Sequence, residues 1–376
     1  MSGMKGEKTM KKFLSVMLVA AMSVSALTAC GSSEEPAENA ETAETTEGGE
    51  TDFTGAELTV CTWGGSTGAA TKELAADFEA RYGCTVVFDE VNANADRIAK
   101  IQSQVESGNV ETDVVYLSGA YAKQGEALEL FEKIDTNVVK NIDNLYDFAK
   151  NDTGYGPMVT VGRYGIMYNE DVLKEKGLEP PTSYLDLFDD KYAGLVALPA
   201  MSGTAGPYIL SKIAEDLGGS LDDRQAALDL YAEKKDNIGM WYTSDLVPAL
   251  TNKEVAVTVY MDFMIPALNA SGLNMKWVDA EEGNFADDVF INVVKDAPNK
   301  ELAQLFIDFA LEKETQEKFT QLNNESPTNK LAEVSPEQDE LICYGQEEFD
   351  NCTFFDYNHL NELKPTLIEE WQKIVA

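Results

Sequence analysis

The residues with the clearest chemical potential form the run Trp63-Gly64-Gly65-Ser66-Thr67-Gly68. A β-type segment, Glu57–Thr62, precedes this run, and a segment with helical spacing, Ala69–Tyr82, follows it. Glycines let the backbone approach a ligand closely, and a helix N-terminus attracts a hydrogen-bond acceptor or an anion. A tryptophan ring attracts an alkyl-ammonium group. We therefore expect ligand contacts from Trp63, Gly65 and Ser66; the alternative is a glycine turn beside a buried tryptophan.

The same run fits G-x-S-x-G, the nucleophile elbow of serine hydrolases, with Ser66 as the nucleophile. Such an elbow normally follows several strands, whereas this run follows the first predicted strand. The single histidine of the chain, His359, is far downstream. A secreted serine hydrolase is therefore a minor alternative, and we expect no enzymatic activity. One histidine and scattered cysteines also argue against a zinc site, so no metal or cofactor is expected.

A parallel sheet must position this loop, because β-type and helical segments alternate along the chain. After residue 154 the pattern changes to two long β-prone stretches separated by further strand–helix units. We expect strands at Glu57–Thr62, Cys84–Asp89, Asp113–Leu117, Pro157–Asn169, Gly194–Pro199, Val255–Tyr260 and Asp288–Val294. We expect helices at Ala69–Tyr82, Ala95–Glu106, Ala120–Glu132, Asp171–Lys176, Gly206–Leu217, Ile265–Ala270, Lys300–Leu322 and Leu360–Val375.

The N-terminal region indicates export. Lys11 and Lys12 precede an apolar run that ends at Leu27-Thr28-Ala29-Cys30, which has the form of a secretory signal and is too short to span a bilayer. This ending resembles the bacterial lipobox, so residues 1–29 are expected to be removed and Cys30 to be lipidated. The alternative is an ordinary secretory signal. Residues 30–52 carry eight acidic and no basic side chains, which predicts a disordered tether.

The composition limits the partners of the chain. It has 29 Lys and Arg against 66 Asp and Glu, a formal net charge of −37. Such a surface repels nucleic acid and anionic membranes, so we expect neither as a partner. Cys61 and Cys84 are predicted at opposite ends of neighbouring strands, too far apart for a disulfide. Cys343 and Cys352 are close in sequence, and their pairing is left open.

Several motifs in order resemble one family. The run Leu58–Ser66, the run Ile101–Val115 and the run Tyr164–Asn169 are similar to the mature start, the segment before the third strand and a crossing strand of spermidine/putrescine-type solute-binding proteins. Gly194–Gly206 and Trp241–Pro266 correspond in order to elements of the second half of these proteins. The resemblance covers nearly all of the chain after the tether, and it implies a substrate-binding lipoprotein of an ABC importer.

That resemblance implies an α/β fold of the periplasmic-binding-protein type II class, with two parallel-sheet lobes joined by two crossing strands. Lobe 1 is expected to comprise residues 53–160 and 288–335, and lobe 2 residues 161–287 and 336–376. The ligand is expected in the cleft between the lobes. The implied partners are a small-molecule solute and the permease subunits of the importer. We expect a monomer outside the cytoplasm, held to the cell membrane by its lipid.

The resemblance also implies further ligand contacts. Ser118 and Tyr121 follow the third strand, although Ser118 also suits a helix N-cap. Ser202 and Thr204 stand where polyamine binders carry acidic residues, and hydroxyls at a helix start suit an anionic group better than a cation. The expected solute is therefore a nitrogen-containing one, either a polyamine or an amino-acid-like compound such as γ-aminobutyrate. Sugar phosphates, phosphonates and thiamine-like cations are the alternatives.

A second group of implied contacts comes later in the chain. Trp241 is an expected wall of the site, and Tyr260 and Asp262 match the aromatic-x-acidic pair that meets an amine in polyamine binders. Asp262 is the expected ammonium partner; its alternative role is a helix cap. Glu325 stands where the family often supplies a late polar contact.

Overall fold

The computed structural model describes residues 53–243 and 246–376. The predicted signal, Cys30 and the acidic tether lie outside this part. None of the described helices is long and apolar enough to cross a membrane. The strands are β1 Glu57–Thr62, β2 Thr85–Glu90, β3 Val114–Ser118, β4 Met158–Asn169, β5 Val196–Pro199, β6 Ile238–Tyr242, β7 Val257–Met261, β8 Met275–Trp277, β9 Asn284–Val293, β10 Ser326–Pro327 and β11 Cys352–Thr353.

Helices cover most of the remaining regular structure. They are α1 Gly65–Tyr82, α2 Asn94–Ser107, α3 Gly119–Ala127, α4 Glu170–Lys176, α5 Gly206–Asp216, α6 Gln225–Lys234, α7 Leu246–Thr251, α8 Ile265–Ala270, α9 Lys300–Ala310, α10 Lys313–Asn323, α11 Pro336–Asp339, α12 Gln346–Asp350 and α13 Tyr357–Val375. Short 3-10 turns lie at Lys140–Asn144, Asp147–Ala149, Leu185–Phe188, Asp190–Tyr192, Lys235–Asn237 and Asp262–Met264.

The main sheet has the strand order β2-β1-β3-β9-β4-β7-β5-β6. Strands β1, β2 and β3 are parallel to one another, as are β5, β6 and β7. Between these two groups lie β9 and β4, which pair antiparallel with each other and with the group beside each of them. In each parallel group, the loops after the carboxyl ends of the strands lead into helices. Ligands of such sheets bind at these loops.

Each parallel group has its own cluster of buried apolar side chains. The cluster around β1, β3 and α9 includes Val60, Val115 and Phe306, and the cluster around β5 and α5 includes Leu198 and Ile209. Full burial of such a side chain contributes about 1.5–3 kcal/mol. Strands β4 and β9 supply residues to both clusters, so they are the connection between the two groups.

The predicted alternation of strands and helices is confirmed, but the prediction missed eight elements, most of them short: β6, β8, β10, β11, α6, α7, α11 and α12. Two helix predictions were wrong in extent. The helix expected over Ala120–Glu132 ends at Ala127, because Glu129 takes a left-handed turn with φ of 54°. The helix expected over Lys300–Leu322 is divided into α9 and α10, because Glu312 is extended with ψ of 145° and interrupts the helical hydrogen bonds.

Candidate functional site

A cavity of about 550 Å³ opens where the two parallel groups face each other. One wall comes from the loop between β1 and α1 and the first turn of α1, which contribute Trp63, Gly65 and Ser66, and from Ser118 at the end of β3. The opposite wall comes from the loop between β5 and α5, which contributes Thr204, and from the ends of β6 and β7. The cavity has the size expected of a site for a small solute.

The loop of the first wall is held in place by its own glycines. The Gly64 amide donates to Asn92 Oδ1 at 2.9 Å. Gly65 has φ of +68°, which favours glycine. A Cβ on Gly68 would lie 2.4 Å from the Trp63 carbonyl oxygen, so only glycine permits this close approach. These contacts fix the position of Trp63 just before the N-terminus of α1.

Trp63 has one face available to a ligand. The buried guanidinium of Arg97 lies 3.6 Å from the centre of a Trp63 ring and donates to the Tyr116 carbonyl oxygen at 2.8 Å and to Asn94 Oδ1 at 2.9 Å. A ligand can therefore stack only on the other face of the ring. Because Arg97 already uses the attraction of this ring for a cation, Trp63 acts mainly as an apolar wall.

Ser118 lies at the N-cap position of α3 but does not cap the helix with its side chain. Its backbone amide donates to Asn94 Oδ1 at 3.1 Å. Its buried hydroxyl lines the cavity and has no hydrogen-bond partner among the described residues. A buried hydroxyl without a partner is costly, so Ser118 is available to a ligand atom.

Two carboxyl groups line the cavity. Glu325 is 4% exposed and accepts hydrogen bonds from Thr160 Oγ1 at 2.5 Å and from Asn323 Nδ2 at 2.5 Å. Burial raises the pKa of Glu325 to about 7, although the hydrogen bond from Thr160 acts in the opposite direction. Asp287, on β9, is half-buried, and no hydrogen bond or ion pair to its carboxyl group is formed within the described chain.

The environment of Asp287 is strongly acidic. Burial raises its pKa well above the ordinary value, and the carboxyl groups of Glu325, Asp288 and Asp262 raise it further. None of the described side chains that line the cavity is Lys, Arg or His. The cavity therefore holds two carboxyl groups that bind protons readily, and no basic side chain among its described lining residues compensates them.

Seven predicted site residues come together around this cavity: Trp63, Gly65, Ser66, Ser118, Thr204, Tyr260 and Glu325. Four others lie outside its lining. Tyr121 lies beside Lys364, whose Nζ is 5.2 Å from the ring centre. Ser202 is exposed to solvent. Trp241 packs against Trp371 with ring centres 5.7 Å apart.

Asp262 is the fourth residue outside the lining. Strand β7 ends at Met261 and a 3-10 turn begins at Asp262, so the alternation that would align Asp262 with Tyr260 does not continue. Its carboxylate pairs with Arg163, at 2.9 Å from Nε, and also accepts from the amides of Arg163 and Phe263. Asp262 thus already has a cation partner.

Sequence reasoning missed Asp287, Tyr164, Tyr242 and Thr243 as lining residues. The expected strand began at Asp288, whereas β9 begins at Asn284 and includes Asp287. Side chains alternate along a strand, so Asp287 and Val289 face the cavity and Asp288 faces away, where it accepts a 2.6 Å hydrogen bond from Tyr357. Two adjacent acids within an apolar run were the available signal.

The fold places a cavity of a size suited to a small solute between the two parallel groups, and comparisons with known proteins identify the class of protein. Residues 73–341 match the family described as bacterial extracellular solute-binding protein. This chain therefore belongs to the bacterial extracellular solute-binding protein family, and it is a substrate-binding protein of an ABC transporter. The predicted fold class is confirmed. Solute-binding proteins of this family are not enzymes. They act outside the cytoplasm, where they bind small molecules and interact with membrane permeases.

Individual relatives cover most of the chain. It is 27% identical over 288 residues to the gamma-aminobutyric acid-binding protein of Pseudomonas aeruginosa, covering 73% of this chain and 77% of the relative. A crystal structure of an ABC transporter from Clostridium perfringens has a TM-score of 0.71 and 30% identity, covering 85% of this chain and all of that one. The spermidine/putrescine ABC transporter substrate-binding protein PotD from Streptococcus pneumoniae has a TM-score of 0.70 at 18% identity, covering 85% and 100%.

Proposed function

We propose that this protein captures a small solute carrying a protonated amine, either a polyamine or an amino-acid-like compound such as γ-aminobutyrate. The observation that carries the proposal is Asp287, a carboxyl group facing the cleft without a cation or hydrogen-bond partner in the described chain. A bound ammonium group supplies both the charge and the donors that this carboxylate lacks. Glu325 adds a second acid to the same cavity.

The opposite wall suits the other end of an amino-acid-like solute. The hydroxyls of Thr204 and Thr243 line it, and α5 begins just after the loop that carries Thr204. A helix N-terminus and hydroxyl donors favour a carboxylate. The 27% identical relative named for gamma-aminobutyric acid supports this assignment. We therefore assign the amine to Asp287 and the polar or anionic end to the Thr204 wall.

The alternative solutes have less support. A sugar phosphate or phosphonate would bring a multiply charged anion beside Asp287 and Glu325, with no basic side chain among the described lining residues.

A hydrolase based on Ser66 would need a nearby base. His359 instead pairs with Asp222, whose Oδ2 is 3.0 Å from Nε2, and does not line the cavity. Binding without turnover is the proposed activity.

A thermal unfolding screen tests the proposed function. We expect putrescine, spermidine or γ-aminobutyrate, or a close amine-bearing analogue, to raise the melting temperature at millimolar concentration, because a ligand at about 100 times Kd adds roughly 2.7 kcal/mol. Fructose 6-phosphate and phosphonates should leave it unchanged. A shift with phosphorylated solutes alone would reject the proposal.

Closure of the cleft is the proposed motion. Strands β4 and β9 connect the two clusters of buried side chains. We therefore propose that the two lobes close over the solute by bending at these strands. We expect small-angle scattering to give a smaller radius of gyration when a cognate solute saturates the protein. An unchanged radius with saturation verified by calorimetry would contradict closure.

A lipid anchor is proposed from the Leu27–Cys30 motif and the acidic segment after it. Cys30→Ser should release the protein from the membrane fraction, because the thiol that would carry the acyl chains is absent. Fractionation of cells expressing the parent and the variant measures this. Membrane retention of the Cys30→Ser variant through its N-terminus would exclude the anchor.

A further inference from the structure

Two thiols lie side by side at the edge of the connecting strands, away from the solute cavity. Cys343 Sγ is 3.6 Å from Cys352 Sγ, and both cysteines are free. Cys343 is fully buried, whereas Cys352, in β11, is partly exposed. A disulfide has its sulfur atoms about 2.05 Å apart, so small side-chain rotations separate the present arrangement from a bond.

We propose that Cys343 and Cys352 form an oxidisable pair that becomes a disulfide outside the cytoplasm. The family is extracellular, and extracytoplasmic compartments favour disulfides. The two other described cysteines have no such partner. Cys61 pairs in register with Asp89 on β2, while Cys84 lies just before the other end of that strand, so the two are separated along the strand pair.

Cys352 is the thiol that reacts first. It lines a surface groove of about 500 Å³ together with Phe148, Phe349 and Phe354, so a small disulfide can reach it. The hydrogen bond with Cys343 lowers the pKa of Cys352, and the nearby Arg163 guanidinium acts in the same direction against burial. The same hydrogen bond and burial raise the pKa of Cys343. A thiolate is the attacking species, and exposure and pKa both select Cys352.

The reaction is an exchange with a low-molecular-weight or protein disulfide, R–S–S–R. The Cys352 thiolate attacks one sulfur, forms a mixed disulfide and releases one R–S⁻. Cys343 then loses its proton and attacks Cys352 Sγ, which displaces the second R–S⁻. The two protein thiols are oxidised, the external disulfide is reduced to two thiols, and the two protons go to the released thiolates.

The bond would close the segment from Cys343 to Cys352, which lies beside the connecting strands, into a covalent loop. Cys352 in β11 pairs in parallel with Asn284 of β9. Within the segment, Glu348 lies 3.9 Å from Arg163 of β4. A covalent link between the two ends of the segment would therefore restrict local opening of α12 and β11, which already contact both connecting strands.

Peptide mapping tests the proposal on the full-length chain. The reduced protein is incubated with glutathione disulfide, denatured, alkylated and digested. We expect a Cys343–Cys352 cross-linked peptide pair, with Cys61 and Cys84 alkylated. In Cys343→Ser, Cys352 should retain glutathione as a mixed disulfide, whereas in Cys352→Ser the buried Cys343 should acquire it at least tenfold more slowly.

A matched variant and a physical readout complete the test. Cys61→Ser should still form the cross-link, and hydrogen exchange of residues 343–353 should slow after oxidation. Alkylation of both Cys343 and Cys352 after incubation with glutathione disulfide, or linkage of either to another cysteine, would overturn the proposal. The parent protein alone distinguishes these outcomes, so the test does not depend on the folding of a variant.

Discussion

Asp287→Asn is expected to weaken the binding of an amine-bearing solute by about 2–5 kcal/mol, which is a rise in Kd of roughly 30-fold to several thousand-fold. The carboxylate of Asp287 faces the cleft without a partner in the described chain, so it is free to pair with the ammonium group. Asparagine keeps the shape but removes the charge, and a desolvated ammonium group is then left unpaired. Titration calorimetry with the parent and the variant measures the difference.

Two matched variants make this result specific. Asp279→Asn removes the same charge at an exposed position outside the cavity lining, so its Kd should stay near that of the parent. Asp262→Asn leaves the partly buried Arg163 without the buried carboxylate that pairs with it, so it should lose about 3–5 kcal/mol of stability. If Asp262→Asn remains folded and abolishes binding while Asp287→Asn binds like the parent, the assignment of the amine to Asp287 fails.

Solute affinity is expected to fall as the pH decreases below about 7. Burial raises the pKa of Glu325 to about 7 and that of Asp287 well above its ordinary value, so the empty cleft binds protons at neutral pH. A cationic solute requires the carboxylate forms, and its binding therefore releases protons. For each proton released, Kd should rise by up to tenfold per pH unit, which is about 100-fold between pH 7 and pH 5.

Calorimetry in two buffers with different ionisation enthalpies counts the released protons directly. Glu325→Gln should reduce the slope of log Kd against pH, because one titrating group is removed. The unliganded protein should show the related effect on folding. Since the folded-state pKa of Glu325 lies above 4.5, the folded chain binds this proton more tightly, and stability should decrease as the pH rises from about 4.5 to 7. A flat affinity profile with no proton release would reject this coupling.

Much of the fold was predictable because its patterns are local. The β-type run Glu57–Thr62 is β1 with the same bounds, and the glycine-rich loop after it lies at the cavity, because parallel strands carry their ligand loops at the carboxyl end. The first wall of the site followed from that rule. These features depend on residues that are neighbours in sequence.

The residues whose position relative to the cavity differs from the expectation depend on tertiary contacts. Trp241 was expected in the cleft, but it packs against Trp371 of α13, far along the chain. Asp262 was expected to bind an amine of the solute, but its carboxylate forms an ion pair with Arg163 of β4. Asp287 was missed because its orientation depends on where β9 begins. Spacing along the chain carries no information about such partners.

The most direct test of amine recognition is two pairs of titrations, in each of which the second compound lacks the amine of the first. The parent protein is titrated calorimetrically with γ-aminobutyrate and with butyrate, and with putrescine and with 1,4-butanediol, in which hydroxyls replace both amines, at pH 7.5. We predict measurable heat and saturation for at least one amine, and at least 100-fold weaker binding of its amine-free counterpart. Equal binding of an amine and its counterpart, or binding only of phosphorylated solutes in the same assay, would contradict the claim that this cleft recognises a cationic nitrogen.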